Sequence, residues 1–292
     1  MDGTLQATGP GGACVVESDD AALHPDYSPT ASAGSSAAYN RLRRALDNQE
    51  FALHLQPIMD LSSSYIRGAE ALVRWNDPNT GLVHPARFLP VLEESEMIVE
   101  LGRWVLDAAQ SLYALWLEDG LNPPRISVNV SANQLRHKSF MHDLRKAVDK
   151  TSVPGIDIEI AESAVMEHIE HNAGKLQAIR ELGMGIAIDD FGTGYSSLSH
   201  LAKLPIHALK IDRAFIGNIA DNPNDMTLVS TIISLAHALN LNVVAEGVET
   251  SVQSNLLRLL RCDMMQGYLF SRPLPPDEFK TLLHWPAQAI PN

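Results

Sequence analysis

The chain is poor in cysteine. Cys14 and Cys262 are its two thiols, far apart in sequence, and they form no CxxC pair and no zinc-ligand spacing. That usage fits a reducing, cytoplasmic setting. Long hydrophobic runs are also lacking: no segment approaches the roughly 18 uninterrupted apolar residues of a membrane span. Positive charge is scarce, with 22 Lys and Arg against 35 Asp and Glu for a net charge of −13. Such a balance excludes a general basic surface for DNA, RNA or anionic membrane. A local site for a small anion stays compatible with it, above all where a bound cation reverses the field. The first residues, MDGTLQATGPGGACVVESDD, carry neither a basic start nor a long apolar stretch, so no secretory signal is expected there.

What the chain does have is apolar substance: 45% of its 292 residues are hydrophobic, enough for a large core. Residues 1–37 are rich in Gly, Ala, Ser, Thr, Pro and Asp, and SPTASAGSSAA has neither helical nor strand period, which predicts a flexible tail or linker. Residues 38–292 form the regular body. There YNRLRRALDNQ reads as a helix, followed by eight strand-like stretches: FALHLQPI, IRGAEALVRW, RISVNVS, IDIEIAE, GIAIDD, HALKIDR, LNVVAEG and MMQGYLF. Helical patterns lie between them, among them EMIVELGRWVLDAAQSLYALWLEDG, SFMHDLRKAVDK, GKLQAIREL, YSSLSHLAKL, MTLVSTIISLAHALN and TSVQSNLLRLLR. Alternation of this kind predicts an α/β fold with a mostly parallel sheet covered by helices. Eight units at this length point to a TIM-like (β/α)8 barrel, with a doubly wound open sheet as the structural alternative.

Buried parallel strands should be apolar throughout, yet these carry polar residues at or near their ends: Glu70, Asn129, Glu159, Asp189 with Asp190, Lys210 with Asp212, Glu246 and Gln266. In a (β/α)8 barrel the carboxyl ends of the strands form the active face. Six acids converging on one cavity is electrostatically costly, since two unit charges about 4 Å apart repel by about 4 kcal/mol at an effective dielectric near 20. Lys210 alone cannot balance the set, so divalent cations are the economical answer. Carboxylate and amide oxygens without sulfur or an obvious histidine favour Mg²⁺ or Mn²⁺, with Ca²⁺ possible. Adjacent aspartates suit two ions, one carboxylate bridging while its neighbour holds the second. Side chains alternate faces along a strand, so Asp189 and Asp190 converge only where the strand ends and turns, a turn assigned to Gly192 and Gly194. Paired divalent ions about 3.5–4 Å apart are typical of phosphodiester hydrolysis.

Other local patterns carry less. The DFG at 190–192 matches a protein-kinase tripeptide, but no HRD loop, VAIK strand or glycine-rich loop accompanies it. GTGYSS lacks the GK[ST] of a P-loop. His168 and His171, one helical turn apart without a third ligand, read as a solvated helix face. Met264, Met265, Trp75, Trp104 and Trp116 read as packing residues.

Taken in order, QPIMD (56–60), GAEALVRW (68–75), VNVSANQL (128–135), EIAES (159–163), DDFGTGYSSL (189–198), LKIDR (209–213), VVAEGVET (243–250) and QGYLFSRPLP (266–275) resemble the EAL-domain family of cyclic di-GMP phosphodiesterases across residues 38–285. The resemblance implies a barrel variant with an antiparallel first strand. It implies hydrolysis of cyclic di-GMP to linear pGpG, lowering that bacterial second messenger, with two Mg²⁺ or Mn²⁺ ions. Glu70, Asn129, Glu159 and Asp189 would hold the first ion, and Asp189 would bridge to a second held by Asp190 and Glu246. Lys210 would lie beside the nucleophilic water, Asp212 would support the water network, and Glu246 is either ligand or general base. Gln56, Leu72 and Gln266 would lie near the nucleotide, and Arg74 would pair with a phosphate. Glu162 would pin the DDFGTG loop, and Glu249 would sit just behind the site. Homodimers through helices beside that loop, and a separate sensor or regulatory partner, are implied as well. Three positions depart from the family pattern: Ala161 replaces a threonine, Leu55 an aromatic residue and Arg261 a glycine. A non-catalytic cyclic di-GMP receptor is the alternative, although such receptors usually lose metal ligands and every expected ligand is present here.

Overall fold

The structure, a computed structural model, describes residues 32–149, 154–194 and 198–283. Most of the expected tail, Cys14, the Tyr195–Ser197 part of the DDFGTGYSSL stretch and the last nine positions lie outside these residues. Helix α1 (Ser32–Asp47) begins six positions ahead of residue 38. A hairpin of β1 (Phe51–Asp60) and β2 (Ile66–Asp77) follows, extended by a short β3 (Gly81–Val83). Next come α2 (Pro85–Glu93), α3 (Met97–Glu118), β4 (Arg125–Asn129), α4 (Ala132–Arg136) and α5 (Phe140–Val148). The chain continues with β5 (Ile156–Ala161), α6 (Glu162–Met166), α7 (Ile169–Glu181), β6 (Ile186–Phe191), α8 (Leu198–Leu201) and β7 (Ala208–Ile211). It ends with α9 (Arg213–Gly217), α10 (Pro223–Ala238), β8 (Asn242–Ala245), α11 (Ser251–Leu259), β9 (Met264–Met265) and α12 (Pro276–Leu283).

The sheet closes. Strands β2, β4, β5, β6, β7, β8 and β9 pair in parallel in that order, and β1 completes the ring by pairing antiparallel with both β2 and β9. This is the expected eight-stranded barrel with an antiparallel first strand. The open-sheet alternative falls because β1 bonds both of its neighbours. Three details differ from the sequence reading. The first two strands are joined by the hairpin Leu61–Tyr65 with no helix between them, because Asp60 Oδ1 accepts the N–H groups of Ser62 (2.9 Å) and Ser63 (2.8 Å) and fixes a tight turn. The short β3, paired antiparallel with the end of β2, went unseen. The final strand stops after Met265, because beyond it the Gln266 carbonyl and the Leu269 N–H turn to bond the backbone of Val248.

Composition explains the ring. The runs RISV, IDIEI, IAI, ALKI and NVV place β-branched residues where the sheet is covered on both faces. Ile126, Ile158, Ile160, Ile188, Leu209, Ile211 and Val243 are all fully buried or nearly so. The helices carry their own start signals. Ser131 with Gln134 and Thr250 with Gln253 each form a reciprocal capping box that opens α4 and α11. Asn222 caps α10 with Pro223 in its first turn.

Around the β1–β2 hairpin, Phe51 packs on Trp75, Phe88 and Trp104 with ring centroids 6.3, 5.4 and 6.4 Å away. Arg41 of α1 ion-pairs with buried Asp77 and lies over the Trp75 ring, tying α1 to the barrel. Trp116 is also buried, stacked on Phe279. Arg261 sits at φ 61, the left-handed region that favours glycine, which is the backbone reason for a glycine at that position in the family. No helix among the described residues is long and apolar enough to cross a membrane.

Candidate metal centre

Strand pairing sets the heights of the functional side chains. Gln56 lies opposite Glu70, Asn129 opposite Glu159, and Ala161 opposite Asp189. Strand β2 pairs with β4 only from Gly68 to Ala71, so Glu70 lies one residue before the end of its parallel portion although β2 continues to Asp77.

The two aspartates of IAIDDF face the same site through a break in β6. Register with β7 is lost between Ile188 and Phe191, and Asp190 itself takes a φ of 54. Aspartate is among the few side chains that tolerate this region. Gly192 follows at φ 100, and the Asp190 N–H donates to Asp189 Oδ1 at 2.9 Å. The turn therefore begins one residue earlier than a glycine-driven turn would. Gly194 serves a different need: a Cβ there would lie 2.9 Å from Glu162 Oε1.

At the centre is Lys210, fully buried. Its Nζ lies 2.6 Å from Glu159 Oε2, 2.6 Å from Glu246 Oε1, 3.3 Å from Glu70 Oε2 and 3.5 Å from Asp189 Oδ1. Asn129 Nδ2 donates to Glu70 Oε1 at 2.6 Å, which leaves its amide oxygen for another partner. Gln266 Nε2 donates to Glu70 Oε2 at 2.7 Å and to Gln56 Oε1 at 2.9 Å. The Gln266 Oε1 is buried without a hydrogen-bond partner. Ligand atoms of Asp189, Asp190 and Glu246 all lie within 4.8 Å of one another.

Four carboxylates against one ammonium leave an excess of negative charge, and the acids record it. Burial lifts Glu159 to about 8 against the pull of Lys210, with Glu70 and Asp189 adding to the rise. Asp190 is pushed up to about 7 by burial, then by Asp189 and Asp212. Burial also raises Asp189, with Glu70 adding to it, and raises Glu246, with Asp189 adding to it. Glu70 is the exception. Burial pushes it upward, but Lys210 and the hydrogen bonds from Gln266 and Asn129 outweigh burial and hold it below the usual range. Lys210 is held well above its ordinary value, since the surrounding acids outweigh the effect of burial. A hard divalent cation fits this donor set: the oxygens converge, an amide oxygen is free, and a positive charge would let the lifted acids ionise.

The sequence profile described as EAL domain matches residues 39–273. The chain belongs to the EAL-domain family. It is 44% identical over 237 residues to the cyclic di-GMP phosphodiesterase NbdA of Pseudomonas aeruginosa, covering 80% of this chain and 30% of the relative. It is 41% identical over 239 residues to MucR of the same organism, a bifunctional diguanylate cyclase/cyclic di-GMP phosphodiesterase, covering 81% and 35%. The chain thus spans about a third of the length of these curated relatives. Among solved structures, the MucR phosphodiesterase in complex with c-di-GMP superposes with a TM-score of 0.80 at 40% identity, covering 83% of this chain and 99% of that one. The EAL enzyme Bd1971 in its cGMP-bound form gives 0.80 at 35% identity, covering 86% and 70%.

Within this EAL domain most of the expected site residues come together. Asp212 caps α9 by accepting the Ala214 N–H at 2.7 Å, and its carboxyl also engages Asp190. Leu72 lines both a cavity of about 890 Å³ that reaches Asn129, Asp189 and Asp190 and a smaller one of about 60 Å³ that reaches Glu70 and Glu246. Glu249 lines the smaller cavity. Leu55 is fully buried and its backbone pairs with Leu274.

Arg74 lies on β2 two residues beyond Leu72. It is 2% exposed, lines neither cavity, and its Nη1 donates to the Val73 carbonyl at 3.0 Å. Two residues that sequence reasoning passed over do line the smaller cavity, Arg213 and Tyr268. Both stood inside quoted stretches, LKIDR and QGYLF, but nothing in their spacing marked them. His168 and His171 are exposed, as a solvated face requires.

Glu162, buried at the start of α6, accepts the Gly192 N–H at 3.0 Å and so ties the loop after Asp190 to the preceding β5–α6 unit. Replacing it with alanine removes that acceptor. The expected result for Glu162→Ala is faster proteolysis within 189–198 and a lower kcat in a barrel that melts normally. A mutant with unchanged protease resistance and unchanged kcat would remove this role.

Proposed function

We propose that the chain is a metal-dependent hydrolase that opens cyclic di-GMP to linear pGpG. The observation that carries the proposal is the convergence of Glu70, Asn129, Glu159, Asp189, Asp190 and Glu246 around Lys210, in an EAL domain whose relatives are named as cyclic di-GMP phosphodiesterases. Glu70, Asn129, Glu159 and Asp189 would hold one Mg²⁺ or Mn²⁺ ion, and Asp189, Asp190 and Glu246 a second. Bound there, the ions would polarise the scissile phosphate and lower the pKa of a bound water.

The chain's own residues do the rest. Lys210 Nζ keeps Glu159 and Glu246 at 2.6 Å, so their oxygens stay oriented toward the centre. Gln266 and Asn129 hold Glu70 ionised through its two oxygens. In the metal-free site Asp190 is lifted to about 7 by burial, then by Asp189 and Asp212, so it would give up that proton on holding the ion. Gln56, Leu72 and Gln266 border the smaller cavity and Leu72 also borders the larger one, so the nucleotide would lie in the larger cavity and reach toward the smaller. Homodimerisation, a sensor partner and a cytoplasmic location belong to the same proposal and rest on the family alone.

The test is direct. Purified protein is incubated with cyclic di-GMP and Mg²⁺ or Mn²⁺, then with chelator, and pGpG is followed by chromatography. Metal-dependent pGpG formation abolished by chelator is the expected outcome. Binding of cyclic di-GMP without metal-dependent pGpG would overturn the enzyme and leave a receptor.

A further inference from the structure

The cavities that meet at the metal ligands are acidic, and the proposed substrate is a dianion. A cyclic dinucleotide carries two phosphodiesters, and the ions serve the one that is cut. The other, across the ring, needs its own positive partner in a cavity bordered by Glu70, Glu246 and Glu249. Among the described residues lining the two cavities, Arg136 and Arg213 are the arginines, and no lysine lines either one. Arg136 is already engaged, by Glu167 at 2.6 Å and by Asn133 at 2.7 Å. Arg213 makes no hydrogen bond or ion pair with any described residue, although three carboxylates share its cavity. Of the acids around it, Glu70 and Glu246 are tied to Lys210, and Asp212 accepts the Ala214 N–H.

The stem of Arg213 is held even though its head has no partner among the described residues. Gly247 takes φ 67 beside it, and a Cβ there would come within 2.5 Å of Arg213 Cβ. That close approach restricts where the side chain leaves α9, and Arg213 is half-buried and lines the cavity. A planar guanidinium held by its stem, with no donor spent on a described residue, suits a phosphate it can grip through two parallel hydrogen bonds.

We propose that Arg213 binds the phosphate of the dinucleotide that is not cut, and so selects a two-phosphate substrate. The proposal rests on the phosphodiesterase reading above. It is tested by comparing cyclic di-GMP with bis(p-nitrophenyl) phosphate, which offers one phosphodiester and no second. For Arg213→Ala the KM for cyclic di-GMP should rise by about tenfold or more with a much smaller change in kcat, the pattern of lost uniform binding. The loss in kcat/KM should be at least about tenfold greater on cyclic di-GMP than on bis(p-nitrophenyl) phosphate, because only the first substrate uses the contact. Arg213→Lys should fall between wild type and Arg213→Ala, keeping the charge but not the fork.

Equal losses on both substrates would place Arg213 at the cut phosphate or in the fold and overturn the proposal. An unchanged KM for cyclic di-GMP would overturn it too. Calorimetric titration of cyclic di-GMP into wild type and Arg213→Ala in chelator reads the same contact without turnover. A wild type that binds but never hydrolyses would sink the phosphodiesterase reading, while the affinity ratio between the two proteins still decides the role of Arg213.

Discussion

Glu70→Ala should reduce turnover of cyclic di-GMP on the order of a thousandfold or more, comparable to removing one preorganised electrostatic group from a catalytic centre, and should leave the barrel folded. Glu70 is the acid most firmly kept as a carboxylate, because Asn129, Gln266 and Lys210 all converge on its two oxygens. Alanine removes a metal ligand and also frees Asn129 and Gln266, the groups that frame the site between β2, β4 and β9. The fold should survive because the partners keep other contacts. Lys210 retains Glu159 and Glu246 at 2.6 Å, and Gln266 retains Gln56 at 2.9 Å. One fewer buried carboxylate also eases the repulsion on Glu159, Asp189 and Glu246. Circular dichroism melting beside single-turnover hydrolysis separates the two expectations. Normal melting with full activity would sink the ligand assignment, and unfolding would show that the Glu70 network holds the barrel together.

The ring and most of its centre were legible in the sequence because both follow from local rules. Strand runs such as IDIEI and ALKI announce themselves by β-branched residues, and a lone charge ending an apolar strand is visible without coordinates. The antiparallel first strand was not a matter of pattern, since FALHLQPI reads the same in either direction, and it came from family resemblance. Arg74 shows how far strand alternation reaches. Alternation puts it on the same face of β2 as Glu70 and Leu72, but β2 has by then run beyond its last partner on β4. Arg74 is buried, with Nη1 donating to the Val73 carbonyl. Arg213 is the converse case. A charged residue opening a five-residue helix carries no signal, and only the close approach of Gly247 shows that its side chain is directed. Asp190 lies between these cases: a turn after Asp189 was readable, but the positive φ that builds it falls on the aspartate itself.

In chelator, the melting temperature should fall as pH rises from 6 to 8, and Mg²⁺ or Mn²⁺ should reverse most of that fall. Glu159 is lifted from 4.5 to about 8 and Asp190 from 3.8 to about 7 in the folded state. An acid with a raised folded pKa binds its proton more tightly when folded. Between its unfolded and folded values the native state therefore holds the extra proton, and stability drops with increasing pH. Other shifted groups do not cancel this. Glu70 is held low, so its contribution changes only near and below its ordinary value of 4.5, while that of Lys210 is lost only above 10.5. His207 is lowered by burial and acts in the opposite sense, chiefly below its ordinary 6.5. Each kcal/mol lost shifts a domain of this size by about 2–4 °C, so a fall of several degrees is readable. A divalent cation binds the ionised carboxylates and displaces their protons, so its stabilisation should grow with pH. Scanning fluorimetry at pH 6 and pH 8, with chelator and with each metal, measures both effects. A chelated protein whose melting temperature stays level or rises across this range would contradict the charge excess around Lys210. Asp190→Asn carries the test to one residue. It keeps every histidine and removes a group lifted to about 7, so the slope in chelator should become shallower and the cation-dependent gain at pH 8 smaller.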